Sequence, residues 1–118
     1  MKKNKYLFSH TNKIKHLSNT LDSLQMYQGA NGGFNDEQLT SSNQNSAPGD
    51  MTSTRLAIFL VSIYDQYDKV TLAGENGVFE FLRDRMRQDG GYAATISDES
   101  DILSTRFVDF FIFFLLSI

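Results

Sequence analysis

Asn31-Gly-Gly-Phe34 followed by Ser53-Thr-Arg55, and then Asp89-Gly-Gly-Tyr92 followed by Ser104-Thr-Arg106, are the phrases whose reading decides the fold. They recur in the same order, and each pair punctuates a helix, a loop and a second, more apolar helix. The chain therefore reads as two copies of one helical hairpin.

In the first copy, Ile14, Leu17, Leu21, Leu24 and Tyr27 recur at spacings of three and four, which places them on one stripe of an amphipathic surface helix. Gly29, Gly32 and Gly33 stop it, because each glycine inside a helix costs about 1 kcal/mol relative to alanine. From Asn35 to Gly49 the chain is rich in Ser, Asn and Gln and holds its only proline, Pro48, so it reads as a long loop. A second helix starts at a cap, Asp50 or Thr52, and is expected to run to about Tyr67. Leu56 through Ile63 leave it no wide polar face, which predicts that protein surrounds it.

A turn through Asp65 to Asp68 leads into the second copy. Val78, Leu82 and Met86, spaced by four, predict a second amphipathic helix from about Gly74 to Arg87, which Asp89-Gly-Gly ends. A loop with Asp98, Glu99 and Asp101 precedes a second apolar helix from Ile102 to Ile118. The glycine phrases lie 58 positions apart and the Ser-Thr-Arg phrases 51, the difference sitting in the longer first loop. Self-similarity at this period, with amphipathic and apolar helices alternating, is what a stack of helical hairpins requires. Such arrays need about three units to bury their faces. Either another chain covers the last helix, or the sequence is part of a longer protein.

Composition narrows the function classes. The chain has 118 residues, 41% of them hydrophobic, as in one globular domain. A net charge of −3 gives no general attraction to nucleic acid or anionic membrane, despite Lys2, Lys3 and Lys5. Without cysteine there is no disulfide, thiolate nucleophile or thiolate metal ligand. Tyr6-Leu7-Phe8 is too short for a signal-peptide core, so the expected location is cytoplasmic. The apolar run from Phe107 to Ile118 falls short of the roughly 20 residues of a membrane span and is interrupted by Asp109, so it reads as a core helix.

A single Asp-Gly-Gly-aromatic phrase after a helix is no more than a helix stop. Two copies, each followed by a Thr-Arg helix start, resemble the repeat shared by protein prenyltransferase β subunits and triterpene cyclases: a glutamine, two residues, Asp-Gly-Gly and an aromatic. Gln28-Gly-Ala-Asn31-Gly-Gly-Phe34 fits with Asn for Asp, and Met86 takes the glutamine's place in the second copy. The second half is most similar to protein geranylgeranyltransferase β subunits, from Leu82-Arg83 through Asp89-Gly-Gly-Tyr92 to Arg106-Phe107-Val108. The resemblance covers roughly residues 14 to 118. The long loop before Thr52 leans toward the type I enzyme over type II, and the absence of tryptophan counts against a cyclase.

The resemblance implies an all-α fold, an α/α toroid in which inner helices form a barrel around an apolar funnel and outer helices ring it. This chain would be a partial barrel of about two hairpins. Residues 1–11 would be an N-terminal extension and 12–118 the repeat segment, with repeat 1 over about 12–67 and repeat 2 over about 74–118. Arg106 matches a family arginine lining the isoprenoid and peptide pocket; the alternative is that it pairs with Asp101 or Glu99 to fix the loop. Arg55 aligns with a family tyrosine, Asp50 with a pocket histidine and Asp109 with a pocket tyrosine. The family's zinc is held by an Asp, a Cys and a His from later repeats, so its ligands are absent from this segment, and His10 and His16 read as surface residues. Asp98, Glu99 and Asp101 suit either a cation or a solvated cap at the positive end of a helix.

The implied function is a share of a protein geranylgeranyltransferase β subunit. Such an enzyme pairs with an α subunit and transfers a prenyl group from a prenyl diphosphate to a cysteine in a protein C-terminal peptide. This segment is expected to be inactive alone. The alternative is a non-catalytic helical repeat module that binds a protein partner.

Overall fold

A computed structural model describes residues 15–16, 18–39 and 49–116. Ile14, Leu17, Pro48, His10, the N-terminal lysines and the body of the first loop lie outside the described residues. The first helix, α1, covers 18–23 and tightens into a 3-10 turn over Leu24–Tyr27. Leu21 and Leu24 turn inward, as the apolar stripe predicts.

Helix α2 spans Met51–Ile63. Asp50 caps it in an extended conformation, its carboxylate accepting the Ser53 N–H at 2.7 Å and the Ser53 hydroxyl at 3.0 Å. A cap of this kind stabilises a helix by about 1 kcal/mol. The helix stops short of Tyr67 because Asp65 takes a left-handed conformation at φ +52°. The Gln66 N–H then closes on the Val61 carbonyl at 2.9 Å and the Asp65 N–H on Ser62, satisfying carbonyls the helix leaves free.

Helix α3 is Val78–Arg83, much shorter than the periodicity predicts. Gly74, at φ +94°, and Gly77 delay its start. Its end comes early because residues 85–87 pair with 91–93: the Ala93 N–H bonds to the Arg85 carbonyl at 2.9 Å and the Arg87 N–H to the Gly91 carbonyl at 2.8 Å. Strands β1, Tyr92–Ala93, and β2, Ser100–Asp101, pair antiparallel with Tyr92 opposite Asp101. Helix α4, Ile102–Leu116, follows directly, with Asp101 as its cap through the Ser104 N–H at 2.8 Å and the Ser104 hydroxyl at 2.9 Å. The fold is thus predominantly helical, with a small two-stranded sheet that an all-helical expectation leaves out. Among the described residues no helix is long and apolar enough to cross a membrane.

The sequence repeat is a repeat of hydrogen bonds. Gln28 bridges Phe34 and Phe34 bridges Asp50, as Met86 bridges Tyr92 and Tyr92 pairs with Asp101. Asn31 Oδ1 accepts the Gly33 N–H as Asp89 Oδ1 accepts that of Gly91. Gly32 and Gly90 both sit at φ +88°, where a side chain would be strained. The aromatic's amide is received by the motif threonine each time: Phe34 N–H on Thr54 Oγ1 at 2.8 Å, Tyr92 N–H on Thr105 Oγ1 at 2.9 Å.

One core runs through both copies. Leu21, Leu24 and Phe34 meet Met51, Ile58 and Val61 of α2, Val78, Phe81 and Leu82 of α3, and Phe107, Val108 and Phe111 of α4. Gly32 lies so close to Gly77 that any side chain there would collide with the Gly77 carbonyl. Gln28 joins the copies with its amide, donating to the Thr71 carbonyl at 2.8 Å and accepting the Thr71 N–H at 2.9 Å. The expectation that α2 is surrounded by protein fails within this chain. Its Met51, Thr54, Ala57, Ile58 and Val61 are buried, but Leu56, Phe59 and Ile63 are exposed, because the rest of the chain packs on only one side of α2.

Candidate functional site

Because Asp50 and Asp101 cap equivalent positions, α2 and α4 begin side by side, and their first turns enclose a hollow of about 170 Å³ with Met51, Thr52, Leu103 and Ser104 in its walls. Arg55 and Arg106 follow, each the fifth residue of its helix. Below them an apolar groove of about 380 Å³ lies between the two helices. Ile58, Phe59 and Ile63 line it from α2, and Leu103, Phe107, Phe110 and Phe111 from α4; Ser62 and the two arginines complete the wall. The rings of Phe107 and Phe111 lie nearly parallel with centroids 6.2 Å apart, and Phe79 backs Phe111 at 6.0 Å, which holds the α4 wall in shape.

Arg106 is exposed and Arg55 half-buried. Among the described residues neither guanidinium forms an ion pair or hydrogen bond with the protein. The alternative role for Arg106, pairing with Asp101 or Glu99, is not seen among the described residues; the Asp101 carboxylate accepts from Ser104. The Ser104 N–H and hydroxyl also hold the Asp101 carboxyl below its ordinary range. Asp109 does not enter the apolar groove. It borders a wider surface hollow of about 570 Å³ shared with Asp89, Gly90 and Arg106. Asp50, exposed, serves α2 as its cap. The chemistry available in the groove is an apolar trough with two guanidiniums at one end that have no partner among the described residues, which suits a ligand with a hydrocarbon body and an anionic head.

The acidic loop is organised by Arg87, which the sequence reading did not single out. Its Nε donates to the Asp98 carbonyl at 3.0 Å, and its Nη2 donates to those of Thr95 at 2.8 Å and Ile96 at 2.7 Å. No local pattern marks it, since its partners are backbone carbonyls of a loop eight to eleven residues on. Arg85 is also unexpected. Its guanidinium lies 3.6 Å over the Phe81 ring, donates to the Phe81 carbonyl at 3.1 Å and is buried, which pulls its pKa below the usual arginine value. The motif threonines, Thr54 and Thr105, were visible as repeated letters; their role as receivers of the aromatic amides was not.

His16 is exposed, as expected, and His10 lies outside the described residues. Among the described residues no three or more His, Cys, Asp and Glu side chains are grouped to hold a metal ion. No protein-family model, curated protein or solved structure matches the chain significantly.

Proposed function

We propose that this chain is part of the barrel wall of an α/α toroid of the protein geranylgeranyltransferase β-subunit kind, and that the groove between α2 and α4 receives the isoprenoid chain of a prenyl diphosphate. The observation that supports this reading is an apolar trough ending at the guanidiniums of Arg55 and Arg106, neither of which has a partner among the described residues. Arg106 is the substrate-binding residue, giving charge-assisted hydrogen bonds to the diphosphate or to the carboxylate of the acceptor peptide. The aromatic wall excludes water along the hydrocarbon and fixes its depth.

In the complete reaction the cysteine sulfur of a protein C-terminal peptide bonds to the first carbon of the prenyl group as the carbon–oxygen bond to diphosphate breaks. This chain supplies binding and orientation in that reaction. In that family the groups that activate the thiol come from later repeats, so further barrel units and the α subunit of a cytoplasmic heterodimer would complete the site, and the purified chain is expected to transfer no prenyl group by itself. Calorimetric titration with geranylgeranyl diphosphate tests the reading. Saturable binding is expected, weakened about tenfold or more by Arg106→Ala, in line with the roughly 1.5–3 kcal/mol of a hydrogen bond to a charged group. No binding, or binding indifferent to Arg106, overturns it. The exposed Leu56, Phe59 and Phe110 favour, as a second reading, a repeat module whose apolar face binds a protein partner.

A further inference from the structure

The internal repeat makes the two ends of the molecule complementary. Call 18–63 the first hairpin and 78–116 the second. Where the second hairpin packs on the first, it buries residues of the first whose counterparts on the second are open. Val61 is 0% exposed and its counterpart Ile112 42%. The segment that leads into the second hairpin does the same: Gln28, bonded to Thr71, is 8% exposed and its counterpart Met86 56%, and Gly32 is pressed against Gly77, whereas around Gly90 there is open space. Asp109, in the place of Ile58, lines the hollow beside Arg106 on this same open end.

The opposite end shows the reverse. Phe107 of the second hairpin is 9% exposed, while its counterpart Leu56 is 61% exposed. Phe111 is buried and its counterpart Leu60 only half-buried. Leu56 and Leu60 line a hollow of about 440 Å³ together with Leu24 and Tyr27. The molecule thus carries one face built like the surface that receives a hairpin and one built like the surface of a hairpin that is received.

We propose that a second copy of this chain seats head-to-tail on the first, the Leu56 face of one copy against the Ile112 face of the next, continuing the contact that already joins the two hairpins. A heterologous contact of this kind leaves one donor and one acceptor face at the ends of every assembly, so it propagates to a ring or a short filament. Repeat arrays are stabilised through such nearest-neighbour interfaces. Self-association does not depend on what the α2–α4 groove binds.

Sedimentation velocity of the wild-type chain over rising concentration, with two variants, tests the proposal. The wild type is expected to shift from one-chain mass to whole-number multiples. Leu56→Asp removes the donor face and Ile112→Asp the acceptor face, so each variant alone stays a single chain. Mixed together, they form a dimer of one of each that grows no further, because one intact donor meets one intact acceptor. Circular dichroism checks that both variants keep the wild-type helix signal; both lie on exposed helix positions. A wild type that remains one chain at every concentration, or folded variants that do not pair when mixed, overturns head-to-tail assembly.

Discussion

The two motif threonines perform the same task in different surroundings, and that difference sets a graded expectation for Thr54→Val and Thr105→Val. Valine keeps the shape and removes the hydroxyl that receives the aromatic amide. In the first copy the orphaned Phe34 N–H is buried, as is Thr54 itself. Leaving a buried donor unsatisfied costs about 1–3 kcal/mol, and the Thr54 hydroxyl's own bond to the Asp50 carbonyl at 2.7 Å is lost as well. In the second copy Tyr92 and Thr105 are half-buried, so water replaces part of the lost bond and the cost falls to about 0.5–1.5 kcal/mol. With an unfolding entropy near 2.1 cal/mol/K per residue, a 2 kcal/mol loss lowers Tm by about 8 °C for a chain of this length. Urea unfolding followed by circular dichroism measures both, with an unchanged slope confirming that only stability moved. A Thr54→Val variant within about 0.5 kcal/mol of wild type, or a Thr105→Val variant that loses more than it, would refute the reasoning.

Asp65→Gly relieves a non-glycine residue held at φ +52° and is expected to stabilise the fold by about 0.5–1 kcal/mol, read as a raised urea midpoint. Arg87→Ala removes three bonds to loop carbonyls; faster amide hydrogen exchange over residues 94–99, with exchange in α2 unchanged, is the expected result. The Ser100 hydroxyl and the Gly91 N–H hold the Asp89 carboxyl below its ordinary range, and Ser104 does the same for Asp101. Both carboxyls have a folded-state pKa lower than the unfolded one, so their contribution is present above the unfolded value of about 3.9 and is lost as the pH falls through the folded values. Stability measured from pH 6 downward should therefore decline below about pH 4, and less steeply in an Asp89→Asn, Asp101→Asn double variant.

How much was legible follows from the range of each signal. Helix starts at Asp50 and Asp101 were readable because a cap acts on an amide three residues on, and the glycine turns because a left-handed backbone leaves its mark in the residue itself. The length of α3 was not readable. Val78, Leu82 and Met86 keep helical spacing, yet Met86 is taken by a bridge to Tyr92, a competition that spacing cannot register. The end of α2 was missed because aspartate rather than glycine takes the left-handed turn. Arg106 was singled out from the repeat and its likeness to a family motif, and it lines the groove. Arg55 beside it was seen as a repeat counterpart, but that both arginines line one groove depends on how α2 and α4 pack, which the sequence pattern does not carry.

The proposed seat of an isoprenoid chain in the α2–α4 groove, with its anionic head at Arg106, is open to photolabelling with a geranylgeranyl diphosphate analogue carrying a photoreactive group on its hydrocarbon, followed by peptide mass spectrometry. Adducts are expected on Ile58, Phe59, Ile63, Phe107 or Phe110, competed away by unlabelled geranylgeranyl diphosphate. Adducts confined to the opposite Leu24–Leu60 hollow, or labelling that competitor leaves unchanged, would contradict it.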